Sequence, residues 1–126
     1  GQHSFAYAIY PHLDSWQEAG LVAEGYSFNV PLRWAASLSE PVSYFSVEDP
    51  NLVLDTVKKA EDSDDLLLRL YEAHGARGMA ELKSVLPFES AVCCNILEEE
   101  GEELQVVDGT VFVPYRPHQI ISILLK

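Results

Sequence analysis

Apolar residues recur at every second position in several stretches of this chain, and in most of them both alternating sets are apolar. Between residues 4 and 10, Phe5, Tyr7 and Ile9 fall on one face, and Ala6, Ala8 and Tyr10 on the other. Residues 66–71 set Leu66, Leu68 and Leu70 against Leu67, Arg69 and Tyr71, and 91–97 and 119–125 form two more such runs. A strand with two apolar faces has to be covered on both. Many short strands of this kind fold as packed sheets and not as helices.

The clearest local signal is Leu104-Gln105-Val106-Val107, then Asp108-Gly109, then Thr110-Val111-Phe112-Val113. Asp-Gly accepts the positive φ angles of a type I′ turn, so the spacing predicts a hairpin. One segment departs from the two-residue period. Ser15 and Glu18 have capping-box spacing, and Trp16, Ala19, Ala23 and Tyr26 follow as a helical stripe, which predicts a short helix over 15–27. Gly20 and Gly25 each weaken it by about 1 kcal/mol relative to alanine; Asn29 and Pro31 end it. Residues 51–61 are ambiguous, but Val53, Val57 and the alternation of Leu52, Leu54 and Thr56 favour a strand. The expected fold is all-β: an antiparallel β-sandwich of about eight strands with one short helix near the N-terminus. No repeat or long Pro/Gly/Ser linker divides the 126 residues, which are expected to form one domain. The helix is expected to lie at one edge of the sandwich.

Charge narrows the range of partners. Lys and Arg number 8 against 20 Asp and Glu, a net charge of −12. That deficit disfavours nucleic acid and anionic membranes as partners. No apolar run is long enough to span a bilayer. Residues 61–65 and 98–103 carry acidic runs expected in solvated loops between strands. A calcium loop starting at Asp62 would need a bidentate Glu twelve positions on, where Ala73 stands. The chain begins with Gly1 and has Met79 as its single methionine, so its start reads as a processing site or a boundary within a longer chain. Cys93 and Cys94 are adjacent, a geometry that strains a disulfide, and they are expected to be free on opposite faces of a strand in a reducing compartment.

Reactive groups show no motif. His3, His12, His74 and His118 are scattered without metal-ligand spacing, and no nucleophile elbow occurs. The cysteines have no neighbouring His to form a thiolate. Residues 75–78, Gly-Ala-Arg-Gly, are too short for a phosphate loop and read as a hairpin turn. From the residues alone, the chain is a β-sandwich without a recognisable active site.

A family resemblance adds to this. Residues 5–12, Phe-Ala-Tyr-Ala-Ile-Tyr-Pro-His, precede Trp16 and Glu18-Ala19, and then come Tyr-Ser-Phe-Asn-Val-Pro-Leu at 26–32. Asp-Pro-Asn-Leu-Val-Leu at 49–54, Val-Lys-Lys-Ala-Glu at 57–61 and Leu-Arg-Leu-Tyr-Glu-Ala-His-Gly at 68–75 follow in order. Together these segments resemble the C-terminal β-domain of family-38 glycoside hydrolases, the α-mannosidases, and most closely their bacterial and cytosolic branch. The resemblance implies a terminal, non-catalytic domain of a longer enzyme that hydrolyses terminal α-linked mannose with retention. It implies a nucleophilic Asp and a zinc-type metal in a separate catalytic domain, with no catalytic, cofactor or metal residue in this fragment. The implied partner is that catalytic domain, and α-mannoside is met through the parent in the cytoplasm; homo-oligomerisation of the parent stays open. The residues placed at a cleft wall or interdomain contact are His12, Trp16, Arg69, Glu72 and His74. Two other classes remain: a carbohydrate-binding module using Trp16, Trp34, Tyr44 and Phe45, and a protein-interaction domain. If the first reading holds, the fragment exposes more apolar surface than a self-contained domain would.

Overall fold

The computed structural model describes residues 1–30 and 42–126, so Pro31 and Trp34 lie outside the described residues. The chain separates into two compact units, 1–40 and 41–126.

The second unit is the sandwich. Its strands are β1 (Phe45–Val47), β2 (Leu52–Lys59), β3 (Leu66–Glu72), β4 (Gly78–Ser84), β5 (Ala91–Cys94), β6 (Glu100–Glu103), β7 (Val106–Val107), β8 (Thr110–Tyr115) and β9 (Ile120–Leu125). Two sheets form, ordered β1-β4-β8-β7 and β2-β3-β9-β5-β6, and every pairing is antiparallel. Leu68 and Leu70 of β3, Leu82 of β4, Val111 and Val113 of β8 and Ile121 and Ile123 of β9 interdigitate in the core. Alternation assigns these side chains to the inner faces. The second apolar set of the five-stranded sheet is also buried: Leu67 and Leu124 pack with Ala60 and the partly buried Cys94 in a smaller outer cluster. Cys93 packs instead on the main core, so the adjacent cysteines do sit on opposite faces, and both are free. Burial raises both thiol pKa values, with nearby Glu102 adding for Cys93 and Glu98 for Cys94, which keeps them protonated and unreactive.

The Asp108-Gly109 hairpin forms as the sequence predicts. Val107 pairs with Thr110 and Val106 with Val111, and Asp108 and Gly109 have φ of 48° and 75°. Nothing lies within 4 Å of a Cβ built on Gly109, so a substitution there meets backbone strain and no clash. Gly109→Val is therefore expected to destabilise by about 1 kcal/mol or more. An unchanged thermal midpoint would refute the turn.

Four local expectations are corrected. Residues 98–103 do not form a loop throughout, because Glu100–Glu103 pair with β5 as an exposed edge strand, β6. An edge made wholly of Glu and Gly repels other strand edges, which is one way a sheet avoids pairing with strangers. The run from Ala91 stops at Cys94 instead of Leu97. There the Asn95 side chain accepts the backbone N–H groups of Leu97 and Glu99, at 2.9 and 3.1 Å, and closes a turn. Residues 75–78 are not a hairpin turn either. They end a connection that carries the chain from β3 in one sheet to β4 in the other. Ser4–Tyr10 forms no strand, since none of the described residues pairs with it and an extended segment without a ladder is not stable alone.

In the first unit the capping box is made: Ser15 Oγ donates to Glu18 Oε2 at 2.6 Å, and Glu18 N–H donates to Ser15 Oγ at 3.3 Å. The box caps a single turn, not the helix expected over 15–27. Gly20 adopts φ 66°, with Leu21 N–H bonded to Trp16 O and Gly20 N–H to Gln17 O, both at 3.1 Å. This is a Schellman stop. Helix α1 starts afresh at Leu21–Asn29, with none of its residues buried. Gly20 is therefore not a weak point inside a helix but the residue that ends the first turn. Phe5, Tyr7 and Ile9 are 86%, 82% and 86% exposed, and Trp16, placed on the helical stripe, is 41% exposed.

Candidate functional site

Glu72 closes β3 on the inner row that begins with Leu66, Leu68 and Leu70, and its side chain is buried where the sheet ends. Its Oε1 accepts the backbone N–H groups of His74 and Ala76 at 2.8 and 2.9 Å. Its Oε2 accepts those of Gly75 and His118, both at 2.8 Å. Three successive N–H groups of the β3–β4 connection thus converge on one carboxylate, and a fourth arrives from the β8–β9 turn. Burial alone would raise the Glu72 pKa, but the donors of His118, Ala76, His74 and Gly75 outweigh it and bring it to about 2. The group is a fixed anion at neutral pH. His118 has a positive φ of 56°, and its ring Nδ1 stands 3.8 Å from Glu72 Oε2. The ring itself is largely solvent-exposed, so the clamp on His118 is through its backbone.

A polar cluster supports this end of the sandwich. Asp49 Oδ1 accepts the backbone N–H and the side-chain amide of Asn51, both at 2.9 Å, and the Tyr115 hydroxyl donates to Asp49 Oδ2 at 2.7 Å. The Asn51 amide also donates to the Tyr115 oxygen at 3.3 Å. Its Oδ1 then faces His74 Nδ1 at 3.2 Å, so the imidazole donates from Nδ1. Burial, and next the bond to Asp49, raise the Tyr115 pKa and keep the phenol neutral.

Beside this scaffold, on the five-stranded sheet, lies a hollow of about 330 Å³ lined by Asp55, Arg69, Tyr71, Ile120 and His118, with Leu70 and Glu72. Tyr71 and Ile120 face each other across β3 and β9, on the outer face. Arg69 lies on that face too, paired with Ser122, and its Nε donates to Ser122 Oγ at 3.1 Å. Asp55 is the residue of a β-bulge: Leu54 pairs with Leu70 and Thr56 with Arg69, leaving Asp55 unmatched between them. The bulge moves Thr56 from the Leu52-Leu54 row to the outer face and returns Val57 to the inner row.

Of the residues singled out from sequence, Glu72 and His74 meet where β3 ends, and Arg69 lies in the middle of that strand. Arg69 and Glu72 share the hollow, while His74 gives its N–H to Glu72 and its ring to Asn51. His12 and Trp16 belong to the first unit. His12 is exposed, and its Nδ1 donates to Asp14 O at 2.7 Å. The aromatic row suggested for sugar binding does not form among the described residues, since Tyr44 is exposed whereas Phe45 packs on the core. Asp55, Tyr71 and Tyr115 carry no motif in the sequence, and His118 has there the character of an ordinary turn residue. The signal for Asp55 was present: the apolar row shifts from Leu52 and Leu54 to Val57, a phase change that marks a bulge. Among the described residues, no group of three or more His, Cys, Asp or Glu is arranged to hold a metal ion.

The described residues define the class of the fold, a two-sheet antiparallel sandwich with a buried structural carboxylate. The family model of the glycosyl hydrolases family 38 C-terminal beta sandwich domain matches residues 51–123, and the chain belongs to that family. It is 40% identical to human alpha-mannosidase 2C1, over 99% of this chain and 13% of that protein. It is 36% identical to alpha-mannosidase G of Dictyostelium discoideum, over 95% of this chain and 12% of that protein. The chain therefore spans only a small part of the curated relatives it matches.

Proposed function

We propose that this chain is the C-terminal accessory sandwich of a cytoplasmic α-mannosidase, which cleaves terminal α-linked mannose elsewhere in the same polypeptide. In this role it braces the catalytic domain and adds one wall to its surroundings. The observation that carries the reading is the similarity to alpha-mannosidases along 99% of this chain and only 13% of theirs. Exposure supports it. Phe5, Tyr7, Ile9 and Leu13 present large apolar side chains to solvent, as a segment does when its cover is supplied by another part of a longer protein. The branch that the sequence resembles and the two free thiols favour a reducing, cytoplasmic setting. Retaining hydrolysis needs a nucleophilic carboxylate and a general acid about 5 Å apart. The buried carboxylate of Glu72 has both oxygens committed to backbone donors and serves neither role. Among the described residues no group of three or more His, Cys, Asp or Glu is arranged for a metal ion, and the proposed reaction places its zinc-type metal in the catalytic domain.

An aryl α-mannoside assay of the full-length protein and of the 126-residue chain, each with and without zinc or cobalt, tests this. The full-length protein is expected to turn over, while the chain shows neither turnover nor a metal-dependent shift in melting temperature. Metal-dependent turnover by the chain would overturn the reading and direct attention to Glu72, His74 and His12.

A further inference from the structure

We propose that the hollow bounded by Asp55, Arg69, Tyr71, His118 and Ile120 is a binding subsite for one neutral hexose unit of an oligosaccharide. The choice of a mannose unit as ligand rests on the α-mannosidase reading above. The site itself rests on three structural devices that meet at this hollow. A β-bulge places Asp55 at the rim, where a regular strand would have continued the row. His118, a non-glycine residue with φ of 56°, turns the chain at the opposite rim and is pinned there through its N–H by buried Glu72. Arg69 has the plane of its guanidinium set by the Nε bond to Ser122. Bulges and left-handed non-glycine residues concentrate where a fold aims side chains at a ligand.

The lining has the chemistry of sugar recognition. Tyr71 and Ile120, a direct cross-strand pair, make an apolar floor for the C–H face of a pyranose, and Ile120 is 63% exposed. Asp55 accepts hydroxyl protons and Arg69 donates to hydroxyl oxygens, a pairing suited to neighbouring hydroxyls. At about 330 Å³ the hollow is at the small end of ligand-sized clefts, which suits one ring and not a chain of them. An anionic ligand is disfavoured. Asp55 stands on the rim, the Glu72 carboxylate lies behind, and the chain carries a net charge of −12.

Titration of the ¹⁵N-labelled 126-residue chain with methyl α-mannopyranoside, followed by NMR, tests the site. Saturable shifts are expected at the Arg69 Nε–H and at the Tyr71, His118 and Ile120 amides, with a Kd on the order of 1 mM. Asp55→Asn and Tyr71→Ala should each weaken binding about tenfold. Unmoved resonances of Val111 and Val113 certify that each variant keeps its core, and Ile120→Ser substitutes for Tyr71→Ala if that variant unfolds. Absence of saturable shifts well above that Kd, shifts confined to other residues, or a stronger response to inorganic phosphate at the same amides would each overturn the proposal. The outcome is separate from the activity assay. A full-length protein that turns over beside a chain that does not bind refutes the subsite alone. A chain that binds beside an inactive full-length protein refutes the parent activity alone.

Discussion

Glu72→Ala is expected to destabilise the sandwich by about 4 kcal/mol, the largest effect of any single side chain outside the apolar core. The substitution strips the acceptor from four backbone N–H groups at once, those of His74, Gly75, Ala76 and His118. A fully buried donor left without a partner costs about 1–3 kcal/mol, and each of these four costs less because their bonds are only part-buried. Glu72→Gln keeps the shape but replaces one acceptor oxygen by a donor, so it should recover only part of the loss. The same carboxylate makes stability depend on acidity. Its pKa is about 2 in the folded chain against 4.5 for the ordinary group. The unfolded chain therefore takes up the proton first as pH falls. Glu72 contributes its full stabilisation, about 3 kcal/mol, above the ordinary value, and loses it progressively from pH 4.5 towards 2. Denaturant midpoints of the wild type and Glu72→Gln, measured from pH 7 to 2.5, should converge as pH drops. A constant gap over that range would show that the carboxylate charge does not hold the connection.

Gly78→Ala should cost about 2–3 kcal/mol although it adds a single methyl group. A Cβ at Gly78 would stand 2.8 Å from the Tyr115 hydroxyl oxygen and 3.1 Å from the ring carbon that bears it. Tyr115 is buried opposite Gly78 in the β4–β8 ladder and cannot swing away without leaving Asp49 and Asn51. Overpacking of this kind typically costs 1–3 kcal/mol. The loss of the Tyr115–Asp49 bond falls on top of part of it. Tyr115→Phe removes the closest atom, so the double variant Gly78→Ala/Tyr115→Phe should be less destabilised than the sum of the two singles. Strict additivity in urea unfolding would mean that the methyl group and the hydroxyl do not meet.

The elements legible in the sequence are those whose signal is local. The Asp108-Gly109 turn could be placed to the residue, because positive φ at two adjacent positions is a property of the residues themselves. The strands over 66–72 and 120–125 could be placed to within one residue. Their two-faced apolar character also showed in advance that both sides would be covered, by the main core and by the smaller cluster around Leu67 and Leu124. The Ser15–Glu18 capping box is legible in the sequence as a box, but its helical extent is not. Whether Gly20 continues or stops a helix depends on the φ it adopts, and composition does not set that.

What only the tertiary structure decided is which strands share a sheet and where the polar groups meet. Residues 75–78 look like a hairpin turn until β3 and β4 are found in different sheets. The acidic 100–103 segment looks like loop until β5 offers it an edge. Ser4–Tyr10 has the pattern of a strand and no ladder partner among the described residues, because pairing is a property of two segments and a pattern belongs to one. Glu72 and His74 were visible as chemistry-bearing residues, yet the function of Glu72 as a clamp depends on N–H groups at 74–76 and at 118. Asp55, Tyr71 and Ile120 form a hollow only through the register of β2, β3 and β9. Backbone donors carry no residue-type signature, and register joins positions far apart in the chain. The sequence alone therefore determined the fold class, the family and one turn, while the three-dimensional pairing of distant segments made the site.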